Sequence, residues 1–158
     1  MGLDMYLYRT AHPDAPRLLD RYNTLCLPAP FEGPLPDEAE QEAQRIWDAL
    51  NLEEVGYWRK ANAIHAWLVN SVQHGVDDQR LAPVTLDHLL VLRNTIATVR
   101  VHPKQASALL PTRGGFLFGS TDYDAWYEED LQRTLDILDP ILADPDSPRF
   151  TWVYNAWW

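Results

Sequence analysis

A chain of 158 residues with 46% hydrophobic side chains, seven tryptophans and seven tyrosines has enough apolar surface to build one packed core without metals or disulfides, which excludes a disordered polypeptide. A net charge of −10 excludes the cationic surface on which non-specific binding to a nucleic-acid duplex depends, and it disfavours docking on an anionic membrane. A small polar molecule, a cation or a basic protein remains as a partner.

Cys26 is the only cysteine, so no intramolecular disulfide can form, and a reducing cytoplasm is the expected setting. Cys26 reads as a small buried hydrophobe. No basic segment followed by an apolar run opens the chain, and no apolar stretch reaches the length of a membrane span. The expected organisation is a single globular domain over 1–158.

Leu3 to Arg9 alternates Leu3, Met5 and Leu7 against Asp4, Tyr6 and Tyr8, the period of a strand with one buried face. Arg149 to Trp157 alternates in the same way, and the two terminal strands are expected to pair. A two-stranded ribbon is marginal alone, so a third strand or a covering helix should accompany them. The proline-rich segment 12–36 reads as an ordered loop with one helical turn at Pro16 to Tyr22. Asp37 with Glu40 three residues on has the pattern of a capping box, opening a helix to about Leu50 that buries Ala39, Ala43, Ile46, Trp47 and Leu50.

The stretch GYWRKANAIHAWLVNSV is read as the interior of a central helix from Val55 to Gln73, closed by Gly75. At 100° per residue Tyr57, Ala61, Ile64, Leu68, Ser71 and Val72 share a core face. Trp58, Asn62, His65 and Val69 line one edge of it, and Lys60 and Trp67 the other. In the structural reading the tryptophans are boundary packing and His65 bonds a backbone carbonyl; in the functional reading the edge is a site. Thr85 caps a further helix, Leu86 to about Val101, whose apolar residues cover much of its circumference, so it should be the most buried. After it, Leu109 to Asp124 holds a Pro111 and Gly114-Gly115 turn, a short buried strand at Phe116 to Phe118, and the start of a helix running from Asp122 to Asp139 before Pro140. The fold class expected is therefore α+β: about four main helices and a small antiparallel sheet that includes both terminal strands.

Chemistry concentrates in two regions, the Trp58 to His65 edge and the Arg113 to Asp124 turn, and buried polar groups of that kind need partners. They are expected to face each other. A pocket between them would have walls of Trp58, Tyr123 and Trp126 and polar groups from Lys60, Asn62, His65, Arg113, Ser120, Thr121, Asp122 and Asp124. Gly119-Ser120-Thr121 before a helix resembles an anion site, yet it lacks the spaced glycines and lysine of a phosphate loop, and acids crowd the helix start. No cofactor is predicted, because no histidine pair or cysteine pair has zinc spacing and Asp77-Asp78 lacks the calcium-loop pattern. Mg²⁺ on Asp122 and Asp124 stays open as the one metal alternative.

The strings MGLDMYLY, VGYWRKANAIHAW followed by GVDD, and LLPTRGGFLFGSTDYDAWY together resemble an uncharacterised family of small bacteriophage and bacterial proteins. The resemblance implies a phage or prophage accessory protein in a bacterial cytoplasm and assigns no activity. Three functional readings follow: a non-catalytic binder of a small polar or nucleotide-like ligand or a host factor, a small-metabolite hydrolase or transferase with His65 as general base assisted by Asp124, and a protein-interaction module anchored by Trp157 and Trp158.

Overall fold

The computed structural model describes residues 2–27 and 36–158. Its sheet starts from the alternating N-terminal stretch, which forms β1 (Asp4–Thr10), and from the C-terminal stretch, which forms β4 (Thr151–Trp157). They pair antiparallel, with Met5 opposite Ala156 and Leu7 opposite Tyr154, as their shared period-2 pattern requires. Two more strands join them, β2 (Glu53–Arg59) beside β1 and β3 (Ala82–Val84) beside β4, in the order β2-β1-β4-β3.

β2 corrects the expected central helix over 55–73. Val55, Tyr57 and Arg59 alternate with Gly56 and Trp58, so the segment satisfies the strand period as well as it fills a helical wheel, and its aromatic residues suit the pleat. Gly56 fixes its neighbour: a Cβ there would lie 2.6 Å from the Ile137 side chain. The helix is confined to α3 (Asn62–Val72), and its end at Gly75 holds, with Gly75 at φ +80 donating to the Val69 carbonyl at 3.0 Å.

Both faces of the sheet are covered. Met5, Leu7, Trp58, Trp152 and Tyr154 pack with α3, α4 (Leu86–Val101) and α6 (Ala125–Ala143) in the larger core. Val153 and Tyr8 pack on the opposite face with α1 (Ala15–Cys26) and α2 (Asp37–Leu50).

The helices depart from expectation at several points, each with a local reason. Much of the expected 12–36 loop is α1, because Pro16 stands in the first turn, where a proline has no helical hydrogen bond to lose; residues 28–35 lie outside the described residues. α2 has the expected span, but the Asp37 capping box does not form: Pro36 occupies the cap position and no side chain caps the helix. Thr85 does cap α4, accepting from the His88 N–H at 3.1 Å. α4 is not the most buried helix, since Leu90, Val91 and Val101 face solvent; that place belongs to α3, where seven of eleven residues are buried. Phe116 to Phe118 is a turn, with Leu117 at φ 63, which no strand accommodates. α6 runs through Pro140 to Ala143, one turn beyond the expected stop. With the short α5 (Ala106–Leu109) the described residues hold six α-helices against the four expected. Cys26 is half-buried. No described helix is long and apolar enough to cross a membrane.

Candidate functional site

The turn between β2 and α3 sets the geometry. Lys60 is held in the left-handed region at φ 61, its N–H donating to the Leu3 carbonyl at 2.7 Å and its carbonyl accepting from the Asn62 N–H at 2.8 Å. A non-glycine residue there is strained, and such positions concentrate where the surroundings over-determine the backbone. Gly119, at φ +91, lies against Lys60: a Cβ at Gly119 would stand 3.3 Å from the Lys60 Cβ.

Asn62, at the first position of α3, holds the loop between α5 and α6. Its Oδ1 accepts from the Arg113 N–H at 3.1 Å, and its Nδ2 donates to the carbonyls of Phe118 at 3.1 Å and Ser120 at 2.8 Å. All three bonds go to backbone, so the amide fixes the loop and has little left for a ligand. Beyond it Thr112 Oγ1 donates to the Thr121 carbonyl at 2.8 Å, and Ser120 Oγ accepts from the Asp122 N–H at 3.0 Å. Asp124 caps α6, its Oδ1 accepting from the N–H groups of Trp126 and Tyr127 at 3.0 and 3.1 Å.

Between this loop, the Lys60 turn and the first turns of α6 lies a cleft of about 400 Å³, within the range of small-molecule sites. Arg59, Lys60, Asn62 and Ala63 form one wall; Thr112, Gly119, Ser120 and Asp122 another; Asp124, Trp126, Tyr127 and Asp130 the third. Trp126 is 71% exposed at the rim, whereas Tyr127 is buried and donates to the Leu110 carbonyl at 2.9 Å. Burial pushes the Asp130 carboxyl up to about 7, with the negative charges of Glu129 and Asp124 adding to it. No ion pair within 4.0 Å joins Arg59 or Lys60 to Asp122, Asp124 or Asp130.

His65 lies one turn further along α3 and points elsewhere. It is 0% exposed, with Nδ1 at 2.7 Å from the Tyr154 hydroxyl and Nε2 at 3.0 Å from Asp77 Oδ2. A carboxylate can only accept, so Nε2 carries the hydrogen toward Asp77, and in that neutral tautomer Nδ1 accepts from the tyrosine. Burial, with the Asp77 charge second, pushes the Tyr154 phenol well above its ordinary range and keeps it a donor. The rings of Phe118 and Trp158 close over the imidazole at 5.4 and 5.6 Å. Arg113 reaches the same Asp77 oxygen at 3.6 Å.

The two sequence regions thus do meet, and Asn62 is the residue through which they meet. Of the residues expected at the pocket, Lys60, Asn62, Ser120, Asp122, Asp124 and Trp126 line the cleft. Trp58, His65, Arg113, Thr121 and Tyr123 are not among its lining residues. Trp58 is buried on β2 and donates its indole N–H to Thr134 Oγ1 at 2.9 Å, and Tyr123 packs edge-on against Tyr127. Arg59, Thr112, Gly119, Tyr127 and Asp130 are lining residues that the expected pocket lacked. The available signal was Asp130, an acid directly before Leu131 and one turn after Tyr127, both buried on α6. Among the described residues no group of three or more histidine, cysteine or acidic side chains is placed to hold a metal ion. Comparison of the chain with family models, curated proteins and solved structures gives no match.

Proposed function

We propose that this chain binds a small polar molecule in the cleft between the Lys60 turn and the N-terminus of α6, without chemistry performed on it. The observation that carries this reading is the unpaired polar lining of a preformed cleft: Arg59, Lys60, Asp122 and Asp130 face one space beside an exposed Trp126, and the loop that closes it is tied down by Asn62. Preformed concave sites with a few convergent polar groups are the usual form of small-ligand sites. The phage or prophage setting rests on the sequence resemblance alone. A general-base role for His65 draws no support from this geometry, because both ring nitrogens are engaged by Tyr154 and Asp77 and the ring does not line the cleft.

The test is a thermal-shift panel of amino acids, dipeptides, nucleotides, sugar phosphates and polyamines, read beside tryptophan emission. A ligand at about one hundred times its Kd should stabilise the fold by about 2.7 kcal/mol, and Trp126→Ala should erase the emission change. If no compound raises the melting temperature while a bacterial lysate yields one stoichiometric protein partner, the ligand reading is overturned in favour of the interaction module.

A further inference from the structure

We infer that the ligand of this cleft is a zwitterion of amino-acid to dipeptide size, its anionic end on Lys60 and Arg59 and its cationic end on Asp130 and Asp124; this rests on the binding reading above. The signs of charge are segregated by wall. The bases come from the end of β2 and the turn after it, and the acids come from the loop and the first turns of α6. Opposite charges lining one cleft ordinarily find each other, and here none are within ion-pair distance. A purely anionic ligand would satisfy one wall and be repelled by the other, and a purely cationic one would do the reverse. Only a molecule carrying both signs at separated ends is attracted by both.

Two further observations place the ends. The Lys60 stem is held: ideal Cβ atoms built on Gly119 and Gly2 would come within 3.3 Å of its Cβ and Cε, so two glycines make the space in which it lies. Its ammonium is therefore presented from a fixed turn, and the cost of ordering a long side chain on binding is reduced. On the other wall Asp124 has spent Oδ1 on the helix cap, and Asp130 makes no side-chain hydrogen bond among the described residues although it is half-buried. A half-buried carboxylate on the cleft wall with no side-chain partner gains a charge-assisted hydrogen bond from an incoming ammonium. The apolar body between the two ends would lie on Ala63 and Trp126.

The experiment compares three panels by tryptophan fluorescence titration on the full chain: the standard amino acids and a set of dipeptides, the same compounds N-acetylated, and the same compounds C-amidated, with phosphoethanolamine as a phosphate-bearing zwitterion. Binding by a free compound should weaken at least about tenfold on blocking either end. Lys60→Gln should remove the discrimination against the amide while keeping that against the acetyl form, and Asp130→Asn should do the opposite, with circular dichroism confirming both folds. Binding of phosphoethanolamine in place of the amino compounds supports the zwitterion with a phosphate as its anionic end. A blocked compound that binds as tightly as its free form overturns the inference. If nucleotides or polyamines bind and no zwitterion does, the inference falls and the cleft reading stands; if nothing in any panel binds, both fall.

Discussion

Asn62 and His65 stand one turn apart on the same helix, and they serve opposite kinds of environment. His65 is sealed: both nitrogens are hydrogen-bonded, aromatic rings close over it, and the one buried atom of that group without a partner is Asp77 Oδ1. The cleft beside Asn62 is open, and its charged groups stay unpaired by one another. A sealed network of this kind is built for stability, because each member lost strands the others in low dielectric. An open set of unpaired charges does little for the fold and is available to something that arrives. Residue type alone does not separate the two, since a histidine beside a carboxylate is as usual in a core as at a reacting centre.

The largest break in that comparison should come from His65→Ala, which removes the partner of the Tyr154 hydroxyl, leaves Asp77 only its Arg113 contact at 3.6 Å, and opens a cavity. It is expected to cost about 3–4 kcal/mol in urea denaturation, while ligand affinity at a temperature where the variant is folded stays as it was. A loss of affinity with unchanged stability would mean that His65 belongs to the cleft. Asn62→Ala comes next. Its three bonds to backbone hold residues 113–120, so about 2 kcal/mol of stability should go, together with amide-exchange protection and protease resistance of that loop. Asn62 is the joint between the two regions, and its variant should therefore lower both stability and affinity.

Asp130→Asn sharpens the contrast in the other direction. In the folded chain this carboxyl protonates near 7 against an ordinary value of 3.8, so the fold holds the proton more tightly than the unfolded chain does. The associated stability is fully present below about pH 4 and is lost as pH rises through about 7. A shift of that size would nominally be worth about 4 kcal/mol; the group opens onto solvent, and screening reduces it to about 1–2. Asparagine cannot ionise, so the variant should be more stable than the parent by that amount at pH 8 and equal to it at pH 4. Lys60, Arg59, Asp122 and Asp124 share the cleft with Asp130, and the charges that add to the effect of burial are those of Glu129 and Asp124, so Glu129→Gln should reduce the effect by removing an anion. Equal curves at both pH values would show the carboxyl to be solvated and the cleft wall to be ordinary surface.

The legible parts of this fold are those where one period dominates. β1 and β4 pair as their alternation requires, α2 has the expected span, and Thr85 caps α4. Gly56-Tyr57-Trp58 was illegible because apolar residues at that spacing fit both periods, and the deciding contact, Gly56 against Ile137 of α6, is 81 positions away in sequence. Phe116-Leu117-Phe118 shows the same limit: three adjacent apolar residues suggest burial, yet Phe116 is 82% exposed and only Phe118 reaches the core. For the site, the meeting of the two polar regions was legible from their need for partners. Which partners that edge serves was not: Asn62 and His65 keep neighbouring places on α3, yet one bonds the backbone of residues 113–120 and the other Asp77 and Tyr154, and both sets of partners are distant in sequence.

Trp126→Ala is the smallest expected perturbation of the fold and the most discriminating for the cleft. The indole is 71% exposed, and its backbone N–H, which Asp124 caps, survives the substitution. Stability should stay within about 0.5 kcal/mol. An aromatic wall contributes to a bound ligand through its face and edge, and removing one from a site should weaken binding by about 1 kcal/mol or more, several-fold in Kd. Trp157→Ala, which removes a half-exposed indole on the opposite face of the sheet, serves as the matched control and should change neither quantity. If the two substitutions weaken a protein partner equally and leave every small ligand untouched, then the exposed aromatics act as anchors and the charges behind Trp126 are surface. If only Trp126→Ala acts, and on a small ligand, then the open cleft beside Asn62 and the sealed network around His65 are functionally as well as structurally distinct.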